Sequence, residues 1–179
     1  MLRPQTEEEY HTFFRDYQTD PTLDFHPFVY SYEMISRSYH YNYDGYRPDY
    51  AHYGIFLGPR IIGCFQLKRI NPEQKRCEFG IILQNTEVRG KGYGTRATLL
   101  GMQEARDHFR METIAGDTMS LNLSMRSVFE KLGFALVERV PHAFDTPSGP
   151  ADRLVYQKDL SSFPSAAEIP DRNGVVSFL

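Results

Sequence analysis

An apolar run, Phe79-Gly80-Ile81-Ile82-Leu83, leads into a basic glycine-rich turn, Val88-Arg89-Gly90-Lys91-Gly92-Tyr93-Gly94-Thr95, and then into a segment that reads as helix from Gly92 to Phe109. This stretch constrains the fold most, because it fixes a strand, a helix and the tight connection between them. Such a connection suits an anion. Glycines let the backbone approach a ligand, and the first amides of a helix lack intrahelical partners. The helix dipole adds partial positive charge there, and Arg89 and Lys91 add full charges. A phosphate-bearing ligand is the expected guest. A basic turn before a surface helix is the plainer alternative, and spacing alone leaves it open.

Spacing narrows the ligand. No GxxxxGK[ST] string occurs, and a dinucleotide fingerprint would need a third glycine where Thr95 stands. Arg89-x-x-Gly92-x-Gly94 instead resembles the pyrophosphate loop of the GNAT superfamily of acyl-CoA N-acyltransferases. Asn122-Leu123-Ser124-Met125-Arg126-Ser127-Val128-Phe129-Glu130-Lys131-Leu132-Gly133-Phe134 resembles that family's second hallmark, an Asn opening a helix that ends in an EKLGF-like string. The start, Leu2-Arg3-Pro4-Gln5-Thr6-Glu7-Glu8, and the Asp20-Pro21 pair resemble its ribosomal-protein N-terminal acetyltransferase branch.

The resemblance implies a mixed α+β fold, with a mostly antiparallel central sheet of about six to seven strands flanked by helices. Two splayed central strands would admit the pantetheine arm of acetyl-CoA, the co-substrate, with no metal. The acceptor would be a primary amine of a small molecule or a protein N-terminus. Direct attack in a ternary complex is the implied course. A CoA-binding sensor or scaffold without turnover is the alternative, and a nucleotide-binding protein using the same loop is a third.

At 179 residues with 41% hydrophobic residues, the chain suits one domain with a full core. We expect that domain over residues 1–160 and a Ser- and Pro-containing tail over 161–179, apolar enough at Val175-Val176-Ser177-Phe178-Leu179 to dock. A net charge of −3 argues against a nucleic-acid partner. The start lacks the apolar core of a signal peptide, and no apolar run approaches membrane-spanning length. Cys64 and Cys77 lie in strand-like runs as expected buried thiols of a reducing compartment. These readings predict a cytoplasmic protein with no membrane partner.

Thr6-Glu7-Glu8-Glu9 reads as a capping box, opening a helix that Asp20-Pro21 should stop. A second helix is expected from Pro27, on the stripe Phe28, Tyr32, Ile35, Tyr39. Strands are predicted over Tyr53–Leu57, Ile61–Ile70, Arg76–Leu83, Glu112–Ala115, Phe134–Val140 (ended by Pro141) and Arg153–Lys158. Pro141 to Pro150 reads as turn-rich. Ala97, Gly101 and Ala105 form a stripe that would let the glycine-turn helix pack closely on the sheet.

For catalysis, period-two alternation places Cys77, Phe79, Ile81 and Leu83 on one strand face and Glu78, Gly80 and Ile82 on the other. A carboxylate there is costly unless paired or facing a wet cleft. An attacking amine, with a pKa of about 10, must lose a proton. Glu78 is therefore the candidate base; a structural ion pair with Arg76 or Lys68 is the alternative. The resemblance assigns oxyanion stabilisation to a backbone amide near Leu83. It gives the cofactor to Leu83, Val88, Arg89, Gly90, Lys91, Gly92, Tyr93, Gly94, Thr95 and Asn122. Asn122 could equally be only an N-cap.

One departure stands out. Where many relatives carry a tyrosine that protonates the leaving thiolate, register puts Phe129, which has no proton to give. The resemblance places the acceptor pocket at the aromatic-rich Phe25–Tyr53 stretch, which is expected to wall that site or to form a homodimer contact, with an ordinary core as the alternative. The six histidines show no metal-binding spacing.

Overall fold

The computed structural model describes residues 1–20, 24, 26–45 and 47–163. Among them the chain forms four helices and one seven-stranded sheet, ordered β1-β2-β3-β4-β5-β7-β6. A meander of β2 (Tyr50–Leu57), β3 (Arg60–Asn71) and β4 (Arg76–Leu83) runs antiparallel. Gly58, at φ 58°, turns the first of its hairpins. The glycine turn follows, then α3 (Tyr93–Asp107), which returns the chain to β5 (Thr113–Met119), parallel to β4. After α4 (Leu123–Lys131), the hairpin of β6 (Ala135–Thr146) and β7 (Gly149–Asp159) completes the sheet. At the other edge, β1 (Leu2–Arg3) pairs with Ile55 and Gly54; a two-residue strand carries no periodicity to read.

The sheet is covered on both faces. Under α3 and α4 lies the larger core, which includes Phe65, Leu67, Phe79, Ile114, Phe129 and Tyr156. Ala97, Gly101 and Ala105 are buried in α3, and a Cβ at Gly101 would stand 2.0 Å from Phe65 Cζ. The helix therefore sits on the sheet through bare backbone. The other face is covered by α1 (Glu7–Arg15) and α2 (Tyr32–Tyr43) over Tyr10, Phe13, Ile35, Phe56, Ile61 and Cys64. The capping box forms as expected, with Thr6 accepting from the Glu9 N–H and Glu9 accepting from the Thr6 N–H.

Several expected boundaries move. The first helix closes at Asp16, well before Asp20, yet Tyr17 keeps its place against Phe28 (ring centroids 5.5 Å) through a turn in which its N–H bonds Phe14 O. Burial satisfies the aromatic periodicity without further helix. The second helix begins at Tyr32, not Pro27, because Ser31 caps it by accepting from the Met34 N–H. Phe28 is instead held by its N–H to Thr19 Oγ1.

The fifth strand extends past Gly116, where a side chain would collide with Phe79 (2.7 Å) and Phe129 (3.0 Å). Nor does Pro141 end β6: that strand lies at the sheet edge and shifts register between Val140 and Phe144, where a missing N–H is tolerated. What reads as a turn-rich segment is the far half of this hairpin. The expected tail lies outside the described residues beyond Phe163.

Candidate active site

The central strands part at one register. Strand β4 pairs with β5 only at Arg76–Thr113, Cys77–Ile114 and Glu78–Ala115. Beyond Glu78, β4 stays with β3 while β5 follows β7 through Met119. A wedge opens between them. The Gln84 N–H bonds Ile62 O on the β3 side. Alternation in an antiparallel ladder then turns the amides of Ile81 and Leu83 the other way, toward the wedge.

At the end of β4 the glycine turn is held from within. Asn85 O accepts from the Val88 and Arg89 N–H groups, Asn85 Oδ1 accepts from the Glu87 N–H, and the Val88 side chain is buried in the core. Gly90 (φ 73°) and Gly92 (φ 84°) take left-handed conformations that side chains disfavour. Gly92 caps α3 without any side-chain hydrogen bond, and no acidic residue stands in the first turn. The first intrahelical bond is Arg96 N–H to Gly92 O, so the amides of Tyr93, Gly94 and Thr95 open outward. Arg96, exposed in that turn, opposes the helix dipole unless an anion sits there. Sequence reading passed over Arg96, although a basic residue at a helix start is itself a signal.

Arg89 does not reach outward. Its guanidinium donates to Asp20 Oδ2, Gln18 O and Leu83 O, each at 3.1 Å. It ties the glycine turn to the loop after α1 and to the end of β4, whereas Lys91 is exposed. Gly94 faces Leu83 and Val128, either of which would be 3.9 Å from a Cβ built on it. Asn122 caps α4, its Oδ1 accepting from the Met125 N–H at 3.0 Å. Its carboxamide nitrogen takes no part in the cap.

Glu78 and Ile82 do share the face away from the larger core; Ile82 packs in the α1/α2 cluster while Ile81 and Leu83 pack in the other. The Glu78 side chain is 18% exposed and is ion-paired, though with neither expected partner. A register shift between Lys68 and Asn71, with Arg69 at φ 52°, brings Arg69 Nη1 to 2.8 Å from Glu78 Oε1. Bulges re-aim side chains in this way. Arg69 is itself 72% exposed, so the pair is open to water.

Next to Glu78, Gly80 contributes no side chain, and among the described residues a Cβ built there would meet only Gln66 Oε1, at 3.8 Å. Gln66 pairs across from Gly80 and was missed in the sequence, where a polar residue inside the apolar β3 run was its only signal. Phe129 is wholly buried, stacked on Tyr156 (4.3 Å, 8°) and packed against Phe79 and Phe134. Cys64 and Cys77 are buried free thiols whose pKa burial raises to about 12, which removes any thiolate nucleophile.

Further along the Glu78 face, a cavity of about 720 Å³ opens at Ile82. Phe14, Tyr17, Pro27, Phe28, Val29 and Met34 surround it, with Asp24 and His26. The expected aromatic wall is thus divided: Phe28 lines the cavity, while Tyr39 and Tyr43 pack in the buried cluster around Tyr10. Another cavity, of about 440 Å³, lies between Met1, Tyr53 and the C-terminal half of α3. It is lined by neither the glycine turn nor β4. Among the described residues, no group of His, Cys, Asp or Glu is placed to hold a metal, and no helix is long and apolar enough to cross a membrane.

A sheet parted beside a glycine-capped helix is the architecture of an acyltransferase of one family. The family model for the acetyltransferase (GNAT) domain matches residues 1–135, and the chain belongs to that family. Comparison with curated protein sequences gives no significant match. Among solved structures, a chimera of Vibrio cholerae spermidine N-acetyltransferase SpeG and hSSAT superposes with a TM-score of 0.78 at 16% identity, covering 90% of this chain and 95% of that one. The Vibrio cholerae spermidine N-acetyltransferase in complex with CoA and spermine gives 0.76 at 16% identity, with the same 90% and 95% coverage. At such identities the likeness is one of fold.

Proposed function

We propose that this acetyltransferase moves the acetyl group of acetyl-CoA to a primary amine, of a small molecule or a protein N-terminus, by direct attack in a ternary complex. The observation that carries the reading is the start of α3, which no side chain caps, with three outward amides and Arg96, standing against the end of β4 beside the wedge. The diphosphate would rest on the amides of Tyr93, Gly94 and Thr95, with Lys91 and Arg96 adding charge. Arg89 would act by holding the turn in shape. The pantetheine arm would lie in the wedge, with the Asn122 carboxamide nitrogen as a donor or lining group. The CoA-bound neighbour supports this by its fold.

In the reaction, the amine nitrogen bonds the thioester carbonyl carbon and the carbon–sulfur bond breaks. The Ile81 and Leu83 amides would stabilise the developing oxyanion. Glu78 would take the amine proton, directly or through water, and solvent would protonate the thiolate, since Phe129 cannot. The N-terminal resemblance favours the ribosomal-protein acetyltransferase branch, in one catalytic unit over residues 1–160.

Glu78→Gln is expected to lower kcat by about 100-fold, the usual scale for losing a general base, while leaving CoA affinity unchanged in calorimetry. An unaltered kcat and pH profile would remove Glu78 from catalysis. The Arg69 pair and the missing tyrosine favour a second reading, a CoA-binding module without turnover. Tight acetyl-CoA binding with no thiol release across a panel of amines would select it.

A further inference from the structure

The cavity at Ile82 differs in chemistry from what a polycation needs. Its wall is Phe14, Tyr17, Phe28, Val29, Met34 and Ile82, and at its rim Val29 and Met34 are 75% and 48% exposed. Apolar side chains left open around a concave site mark a surface meant to be covered. Asp24 is the single carboxylate of the described lining, with Oδ2 accepting from the Tyr17 hydroxyl (2.8 Å) and the Asp20 N–H (2.6 Å). The other polar lining group, His26, is exposed. Several ammonium groups could not be matched there, and a cation brought out of water without a partner is costly.

The cavity and the base lie on one strand face. Ile82 and Glu78 share one strand face four residues apart, about 13 Å at strand rise, and Gly80 between them contributes no side chain. Gln66 Oε1 overlooks that gap.

We propose that this cavity is the acceptor site and that it takes a primary amine with a single cationic head and an apolar, aromatic or branched-aliphatic body. The body fills the space among Phe14, Tyr17 and Phe28. The head points along β4 over Gly80, where Gln66 Oε1 accepts from the amine and Glu78 receives its proton. The reaction step rests on the acetyl-transfer reading above; the binding preference does not.

The test uses phenethylamine and spermidine as probes, with calorimetry on the CoA-loaded protein and thiol release from acetyl-CoA. The variant is Met34→Glu, which puts a carboxylate at the rim. Position 34 is the third residue after the Ser31 cap, where Glu completes a capping box, so the helix is expected to form at least as well. In the wild type, phenethylamine should bind saturably and give a kcat/KM at least ten times that of spermidine. Met34→Glu should cut the phenethylamine value by about tenfold, 1.4 kcal/mol, without changing CoA affinity. Spermidine matching or exceeding phenethylamine in the wild type overturns the proposal and leaves acetyl transfer intact. If no amine releases thiol, the acetyl-transfer reading fails instead. Calorimetry then decides for the cavity: phenethylamine heat weakened by Met34→Glu upholds it, and no heat overturns it.

Discussion

The two faces of the sheet are packed differently. Beneath α3 and α4 the packing is dry and interlocked: Gly101 lets α3 rest on Phe65, and Gly116 makes room for Phe79 and Phe129. Beneath α1 and α2 an apolar cluster of Phe13, Ile35, Phe56 and Ile61 is interleaved with hydroxyls and imidazoles. The Tyr10 hydroxyl meets Ser38 and Asn42, His11 sits between Tyr30 and Ser36, and His52 Nδ1 meets the Tyr43 hydroxyl at 2.6 Å. That second face also holds the 720 Å³ cavity. Close-packed apolar side chains resist displacement, which suits a surface that must keep a wedge open at fixed width. Hydrogen-bonded side chains fix the orientation of the aromatic rings they join, and Phe14, Tyr17 and Phe28 of the same cluster line the cavity. On the function proposed above, one sheet would separate a close-packed cofactor side from an acceptor side that holds the cavity.

The sharpest way to break the comparison is Gly101→Val. Helix propensity alone predicts a gain of a few tenths of a kcal/mol. The 2.0 Å approach to Phe65 predicts overpacking, on the order of 3 kcal/mol of lost stability. A denaturant midpoint equal to or above the wild type's would show the α3/α4 face to be softer than close packing implies.

On the other face, burial pushes the His52 pKa from its ordinary 6.5 down to about 4. The unfolded chain therefore takes up this proton first as pH falls. The His52 contribution is intact above pH 6.5, is lost between pH 6.5 and 4, and levels off below. The loss is on the order of 3 kcal/mol. Thermal melts of wild type and His52→Gln across that window should converge on acidification; parallel curves would remove His52 as the cause.

Gly94→Ala separates ligand from fold. A Cβ there makes ordinary 3.9 Å contacts with Leu83 and Val128, so stability should hold. CoA affinity should fall about tenfold, or 1.4 kcal/mol, if the diphosphate approaches that backbone. The smallest effect is expected from Asn122→Ala, about 1 kcal/mol of stability for the lost cap. A loss of CoA affinity beyond that of a stability-matched control would extend its role from cap to ligand.

What could be read before folding, and what could not, divides along similar lines. The capping box at Thr6–Glu9, the left-handed glycines before α3, the Asn122 cap and the alternation that sets Glu78 apart from Phe79 are all local. Each depends on residues within a turn or two, so spacing reveals it. Arg69 as the partner of Glu78 was hidden behind a bulge. Pro141 inside a strand was hidden because only the sheet order shows that β6 is an edge. Arg89 turning inward to Asp20, and Gln66 overlooking Gly80, depend on segments distant in the chain.

By itself, the sequence determined the order of the helices and of the six longer strands, and the helix start that leaves its amides free, since short-range sterics and hydrogen bonding decide these. Tertiary structure alone decided the register at which β4 and β5 part, the residue that pairs with Glu78, and the apolar lining of the cavity at Ile82. Those follow from how long-range packing distributes buried volume and charge, a quantity no local pattern carries.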